Sequence, residues 1–201
     1  MSILISSNFK NYYKTTIDFV DYYLLDYFDK KNLDVIIVPN KVKILQKILK
    51  RKNNPNLIIL PGGNDINKKD QKTLNRMTVE FKLIKYGIKK KIPILGICRG
   101  MQILNRFFNG KIKKIKGHMN TRHNIYFEKN LFGKKIINVN SFHNWGIPKN
   151  FLSNSLKAIA KDENKNIEMF KHKKFKILGV MWHPEREKSK KNFDQIINNL
   201  K

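Results

Sequence analysis

The feature that most limits what this chain can fold into is an alternation of continuous apolar runs with helix-period segments. "SILIS" (2–6), "DVIIVP" (34–39), "NLIILPGG" (56–63) and "IPILGI" (92–97) read as strands, and runs this apolar suit strands buried on both faces. Between and after them, "TTIDFVDYYLLDYFDKK" (15–31), "KVKILQKILKRK" (41–52), "TVEFKLIKYGIKKK" (78–91) and "RGMQILNRFFNG" (99–110) place apolar residues at helical spacing. Strands separated by helices predict an α/β fold with a mainly parallel sheet covered by helices on both sides. After Gly110 the pattern shortens into "KIKKI", "NIYF", "KIINVNSF", "LKAIAKD", "NIEMFKH" and "KILGVMWHP", ahead of a terminal helix "NFDQIINNL". A small β-rich excursion is therefore expected in the C-terminal half of one domain spanning 1–201.

The formal charge of +27 points first toward nucleic acid. Lysine outnumbers arginine 36 to 6, however, whereas phosphate-forking surfaces favour the planar guanidinium. The lysines are spread along the chain beside abundant Asn, Ile, Phe and Tyr, a mixture that an AT-rich coding sequence also produces. The lysine-rich piece 41–54 reads as a solvated helix and turn. No nucleic-acid partner is expected; what survives is the pull of a positive field on small anions entering a cleft. The apolar run at the start is too short for a signal peptide, and no window approaches 18 apolar residues. The single cysteine excludes an internal disulfide framework. A cytoplasmic location away from membranes is the expectation.

That cysteine sits in "GICRG", where a strand meets a helix. Gly96 and Gly100, two residues either side of Cys98, allow a sharp turn and a close approach of neighbouring segments. Such a nucleophile elbow lifts the sulfur above the strand end, at a helix N-terminus that stabilises negative charge. The Arg99 N–H, just past the nucleophile, is placed to donate to an oxyanion. A buried structural cysteine is the competing reading. A nucleophilic Cys needs a base and a group to orient it. His183 in "GVMWHPE" follows another apolar strand, and Glu185 lies two residues on across the stiffening Pro184. Parallel strands deliver their carboxyl ends to one edge, so Cys98 and His183 are expected to meet there.

The motifs "LPGGND", "GICRGMQ", "VNSFHNWGI" and "GVMWHPE", in this order, resemble the class I glutamine amidotransferase-like superfamily. The pattern over residues 56–187 is most similar to its free-standing γ-glutamyl hydrolase branch, peptidase family C26. The resemblance implies a flavodoxin-like fold and a Cys98–His183–Glu185 triad, with Gly62 or Gly63 adding a second oxyanion donor beside Arg99. It also implies substrate contacts from Gln102, Asn140, Ser141 and His143, although His143 reads equally well as a structural strand-end histidine. "IKGHMNTRHNI" (115–125) adds a finer similarity, to bacterial γ-glutamyl-CDP-amidate hydrolases of capsular polysaccharide synthesis. His118, Arg122 and His123 would then touch an anionic nucleotide substrate, or else brace their loop. Two departures bear on substrate: "SSN" stands where many relatives have "TQR", and the loop after Gly63 is short, which predicts a more open pocket on that side.

The resemblance implies an amidohydrolase that releases glutamate from a γ-glutamyl amide, such as a nucleotide phosphoramidate or γ-glutamyl-GABA, through a thioester. The alternative is a glutaminase component feeding ammonia to a synthase partner; a homodimer is left open. No cofactor is called for. No metal is expected, because His118 and His123 lack the Glu and third ligand of a zinc-protease helix.

Overall fold

Alternate residues of the first strand face opposite layers: Ile3 and Ile5 belong to one buried cluster and Leu4 to the other. The computed structural model describes residues 2–51, 54–131 and 133–200. Its elements run β1 (Ser2–Ser6), β2 (Asn8–Tyr12), β3 (Thr15–Phe19), α1 (Tyr22–Asp29), β4 (Asp34–Val38), α2 (Val42–Leu49), β5 (Leu57–Leu60), α3 (Gln71–Lys90), β6 (Ile94–Ile97) and α4 (Arg99–Phe107). They continue as β7 (Lys113–Lys114), β8 (Met119–Leu131), β9 (Lys134–Phe142), β10 (Trp145–Gly146), β11 (Leu156–Lys161), β12 (Ile167–His172), β13 (Ile177–Val180) and α5 (Lys191–Asn198).

Nine strands form one sheet in the order β4-β1-β5-β6-β13-β12-β11-β8-β9. The first five are parallel, and the remaining four join them antiparallel. The fold is thus the expected helix-flanked α/β sheet. The C-terminal β-rich segment extends that same sheet, and the only separate sheets among the described residues are the pairs β2–β3 and β7–β10. One face packs Leu24, Phe28, Phe193 and Ile196 of α1 and α5 on Ile59, Ile97 and Val180. The other packs Leu45, Val79, Leu83 and Leu104 of α2, α3 and α4 on Ile58, Leu60 and Ile94. Covering both faces is what requires the central strands to be apolar throughout.

Three expectations change. The helix expected over 15–31 is a strand followed by a short helix: Thr15–Phe19 pairs antiparallel with Asn8–Tyr12. The β-branched Thr15, Thr16 and Ile17 fit a ladder better than a helix, and α1 starts only after Asp21, whose side chain accepts from Tyr23 N. "DVIIVP" is not buried on both sides but is the sheet's outer strand, with Ile37 44% exposed. The helix expected over 78–91 begins earlier, because Asp70 caps it by accepting from Thr73 N at 2.8 Å. The end of the expected 41–52 helix falls at Lys52, outside the described residues.

Candidate active site

Strands β5, β6 and β13 run parallel and bring Gly62, Cys98 and His183 to one edge of the sheet. Cys98 stands between β6 and α4 with φ 51° and ψ −107°. An L-residue held there costs about 1–3 kcal/mol and stays only where its surroundings enforce it. The enforcement is visible. Cys98 N donates to Val180 O at 2.7 Å, tying the elbow to β13. Gly100 packs so close to β5 that a Cβ would lie 1.8 Å from Leu60 O.

His183 follows β13 and is 3% exposed. Its Nδ1 lies 2.6 Å from Glu185 Oε1, and its ring also hydrogen-bonds Cys98. Gly62 closes the remaining side, since a Cβ there would lie 2.6 Å from His183 Cε1 and 3.4 Å from Cys98 Cβ. Burial opposes a charged imidazole, but the Glu185 carboxylate and the Cys98 sulfur outweigh it and raise the His183 pKa to about 10. The Pro184–Arg186 turn that carries Glu185 is pinned by Lys190 Nζ, which donates to the carbonyls of Glu185 and Glu187 at 2.6 and 2.7 Å. The result is a sulfur, an imidazole and a carboxylate in one hydrogen-bonded line.

A cavity of about 140 Å³ opens on Cys98, lined among others by Gly63, Asn64, Gln102, Met119 and His143. It is smaller than the roughly 300–1,000 Å³ of sites that enclose a drug-sized ligand. It suits a head group, with any larger part of a ligand lying outside. Its rim is bridged by Trp145 Nε1 donating to Asp65 Oδ2 at 3.1 Å. The side expected to be open is flanked by the β2–β3 hairpin, whose Phe9 O accepts from Asn64 Nδ2 at 2.9 Å. The hairpin thus holds the short loop through Asn64, while none of its own residues lines the cavity.

Beneath the glycine pair lies a group of charges that sequence reasoning did not assign. Glu80 on α3 accepts from Arg99 Nη1 at 2.7 and 2.6 Å and from Arg76 Nε at 2.9 Å, all fully buried. Burial would raise the Glu80 carboxyl pKa, but Arg99 and Arg76 together hold it below the usual range. Burial and the like charge of Arg99 push Arg76 down to about 10, despite Glu80. Arg76 Nη2 donates to Pro61 O and Gly62 O at 3.0 and 3.1 Å, and Nη1 to Asn8 Oδ1 at 2.7 Å. Asn8, the last residue of "SSN", in turn packs on Gly63, where a Cβ would lie 1.9 Å from Asn8 Nδ2. The guanidinium thus clamps the loop facing Cys98. Arg76 and Glu80 become an i,i+4 pair because α3 starts at Gln71; the expected 78–91 helix left Arg76 outside it, and the link to Arg99 is long-range.

The other expected site residues divide. Gln102 and His143 line the cavity; Gln102 Nε2 donates to Trp145 O at 2.9 Å. Asn140 and Ser141 do not contribute to the lining. Asn140 instead clamps the His183 backbone, accepting from His183 N and donating to His183 O, both at 2.8 Å. Ser141 Oγ donates to His118 O at 2.7 Å. Arg122 is turned to Asn138 and Glu187 and lines a separate depression with Arg186 and Lys188. His118 and His123 also lie outside the cavity lining. The expected phosphate contacts of these three residues are therefore not part of the Cys98 cavity. With Glu168, His118 and His123 form a group able to hold a cation, a third ligand that the sequence spacing had not supplied.

The family described as "Glutamine amidotransferase class-I" matches residues 15–200, so this chain belongs to the class-I glutamine amidotransferases. Among curated relatives, the γ-glutamyl-CDP-amidate hydrolase of Campylobacter jejuni subsp. jejuni serotype O:2 is 39% identical over 137 residues. That match covers 67% of this chain but 64% of the relative, less than two thirds of its length. A glutamine-hydrolyzing GMP synthase component of Methanococcus vannielii is 29% identical over 164 residues, 78% of this chain and 79% of that one. In fold, a putative GMP synthase component from Thermoplasma acidophilum superposes with a TM-score of 0.76 at 22% identity, covering 100% of this chain and 94% of that structure. No helix among the described residues is long and apolar enough to cross a membrane.

Proposed function

We propose that this chain is a Cys-dependent amidohydrolase that releases glutamate from a γ-glutamyl amide. The observation that carries the reading is the Cys98 elbow facing an imidazole bound at 2.6 Å to a buried carboxylate. In this reading the Cys98 thiolate attacks the γ-carbonyl carbon. The oxyanion is met by N–H groups of Arg99 and of the Gly62–Gly63 loop. Protonated His183 gives its proton to the departing amine, leaving a γ-glutamyl thioester. Neutral His183 then takes a proton from water, whose oxygen attacks the thioester and frees glutamate and the thiolate. Glu185 holds the imidazole in orientation throughout and keeps its charge.

The substrate proposed is a γ-glutamyl nucleotide amide of the kind named for the Campylobacter relative, and the role proposed with it is surface polysaccharide synthesis. The small cavity fits the glutamyl end, and the positive field favours an anionic remainder outside it. The similarity to the Methanococcus GMP synthase component supports a second reading, a glutaminase that passes ammonia to a synthase. Both are tested by measuring glutamate released from glutamine, γ-glutamyl-GABA and γ-glutamyl-CDP-amidate by the isolated chain. Turnover of the nucleotide amide, abolished in Cys98→Ala, is the expected result. Activity retained in a folded Cys98→Ala would end the mechanism. Near silence on every substrate until a synthase is added would favour the second reading.

A further inference from the structure

The antiparallel half of the sheet holds a cluster of side chains to which the proposed reaction assigns no step, and of which only His143 also lines the Cys98 cavity. Strand β11 ends at Lys161, opposite Tyr126 of β8. Past that end, His118 and His123 of the β8 segment meet Glu168 of β12, with Asp162 and His143 beside them. Glu168 is 1% exposed, His143 4% and His118 5%. Among the described residues, His118 Nδ1, both ring nitrogens of His123, His143 Nε2 and both oxygens of Glu168 are buried without a hydrogen-bond partner. So many orphaned polar atoms in one place call for a missing group.

The tautomers show which kind of group. His118 Nε2 lies 3.1 Å from Asp162 Oδ2, which accepts only, so Nε2 carries the proton and Nδ1 is left as a lone pair. His143 Nδ1 lies 3.1 Å from the carbonyl Trp145 O, so its Nε2 is likewise a lone pair, 4.0 Å from Glu168 Oε1. Lone pairs and a carboxylate therefore converge. A second proton on His118 Nδ1 would find no acceptor in this arrangement. A cation held between His118, His123 and Glu168 would satisfy an unpartnered nitrogen of each ring and the carboxylate together, with His143 beside it.

We propose that His118, His123 and Glu168 bind one divalent transition-metal ion of the zinc class. One donor atom from each lies within 4.8 Å of the other two. Donors about 2.0–2.2 Å from a shared tetrahedral ion lie roughly 3.3–3.6 Å apart. His123 Nε2 and Glu168 Oε2 are already 3.5 Å apart, and the remaining separations close by at most roughly 1.5 Å, shared between side chains. Two imidazoles and one carboxylate suit zinc or cobalt rather than magnesium or calcium. Asp162 orients His118 from behind, the usual outer partner of a ligating histidine. The ion would join β8 to β12 and steady the cavity wall, because His118 O accepts from both Ser141 Oγ and His143 N. It is a staple outside the reacting line of Cys98, His183 and Glu185, and it stands or falls independently of the proposed reaction.

The test uses the full chain, free of any affinity tag, carrying Cys98→Ala so that the thiolate cannot bind metal. Zinc content is measured by mass spectrometry after dialysis, and cobalt uptake is followed by visible absorption. About one ion per chain is expected, with a raised melting temperature. His123→Ala and the near-isosteric Glu168→Gln should each weaken uptake at least tenfold, while circular dichroism shows them folded. A chain that takes up neither zinc nor cobalt overturns the proposal. So does uptake undiminished in a folded Glu168→Gln.

Discussion

At the scale of single residues, the structure separates groups that act on a ligand from groups that hold those groups still. His183 raised to about 10 is charged at neutral pH, as the first proton transfer of the proposed reaction requires. The unfolded value is near 6.5. Its charged form therefore adds stability that is fully present below about pH 6.5 and lost as pH rises through about 10. Cys98→Ala removes one source of that rise and leaves burial in place, so the His183 titration should move down; NMR of the ring protons reads this directly. An unchanged titration would mean that sulfur and imidazole are not coupled. Asn140 gives a sharper contrast. If its amide serves the His183 backbone, Asn140→Ala should lower stability by about 1–3 kcal/mol through unpaired buried groups and reduce kcat. A ligand-binding Asn140 would instead raise KM with stability intact.

At the scale of elements, the legible parts were those with local signals. Cys98 between glycines and His183 two residues before a carboxylate were both readable, as was the meeting of their strand ends. The hairpin was not, because its turn at Tyr13 and Lys14 contains none of the glycine or asparagine that marks such turns, even though Tyr13 takes φ 50°. The groups around His118 and Arg76 were also out of reach, since their partners arrive from distant elements: Glu168 from β12, and Arg99 from α4 onto α3. The second of these couples helix, elbow and glycine loop, and so predicts a cost. Removing the shared carboxylate with Glu80→Ala leaves two buried guanidinium groups uncompensated and should destabilise the fold by about 3–5 kcal/mol. With its pKa held low, Glu80 contributes stability above the unfolded carboxylate value, lost as pH falls through the lower folded one. Denaturant melts of wild type and Glu80→Ala at neutral and acid pH should therefore converge on acidification; parallel curves would count against the network.

At the scale of the whole molecule, the charge and the chemistry can be separated by distance. Lys43 and Lys47 lie on α2, which packs near β4 at the outer edge of the sheet. From β4 to the Cys98 strand β6 is three strand spacings through β1 and β5, or about 14 Å at roughly 4.8 Å each. The Debye length at physiological salt is about 8 Å, so the field of these exposed lysines at the cavity is largely screened. Lys43→Gln with Lys47→Gln should leave kcat/KM within error for neutral and anionic substrates at about 150 mM salt, near the physiological value. At roughly 10 mM salt the screening length grows to about 30 Å, and the anionic substrate alone should then lose rate in the double variant. That salt-dependent split would show the +27 acting as a diffuse field that gathers anions. A loss at the higher salt, equal for a neutral γ-glutamyl amide, would instead tie α2 to the fold of the cavity, and the charge would have no part in substrate choice.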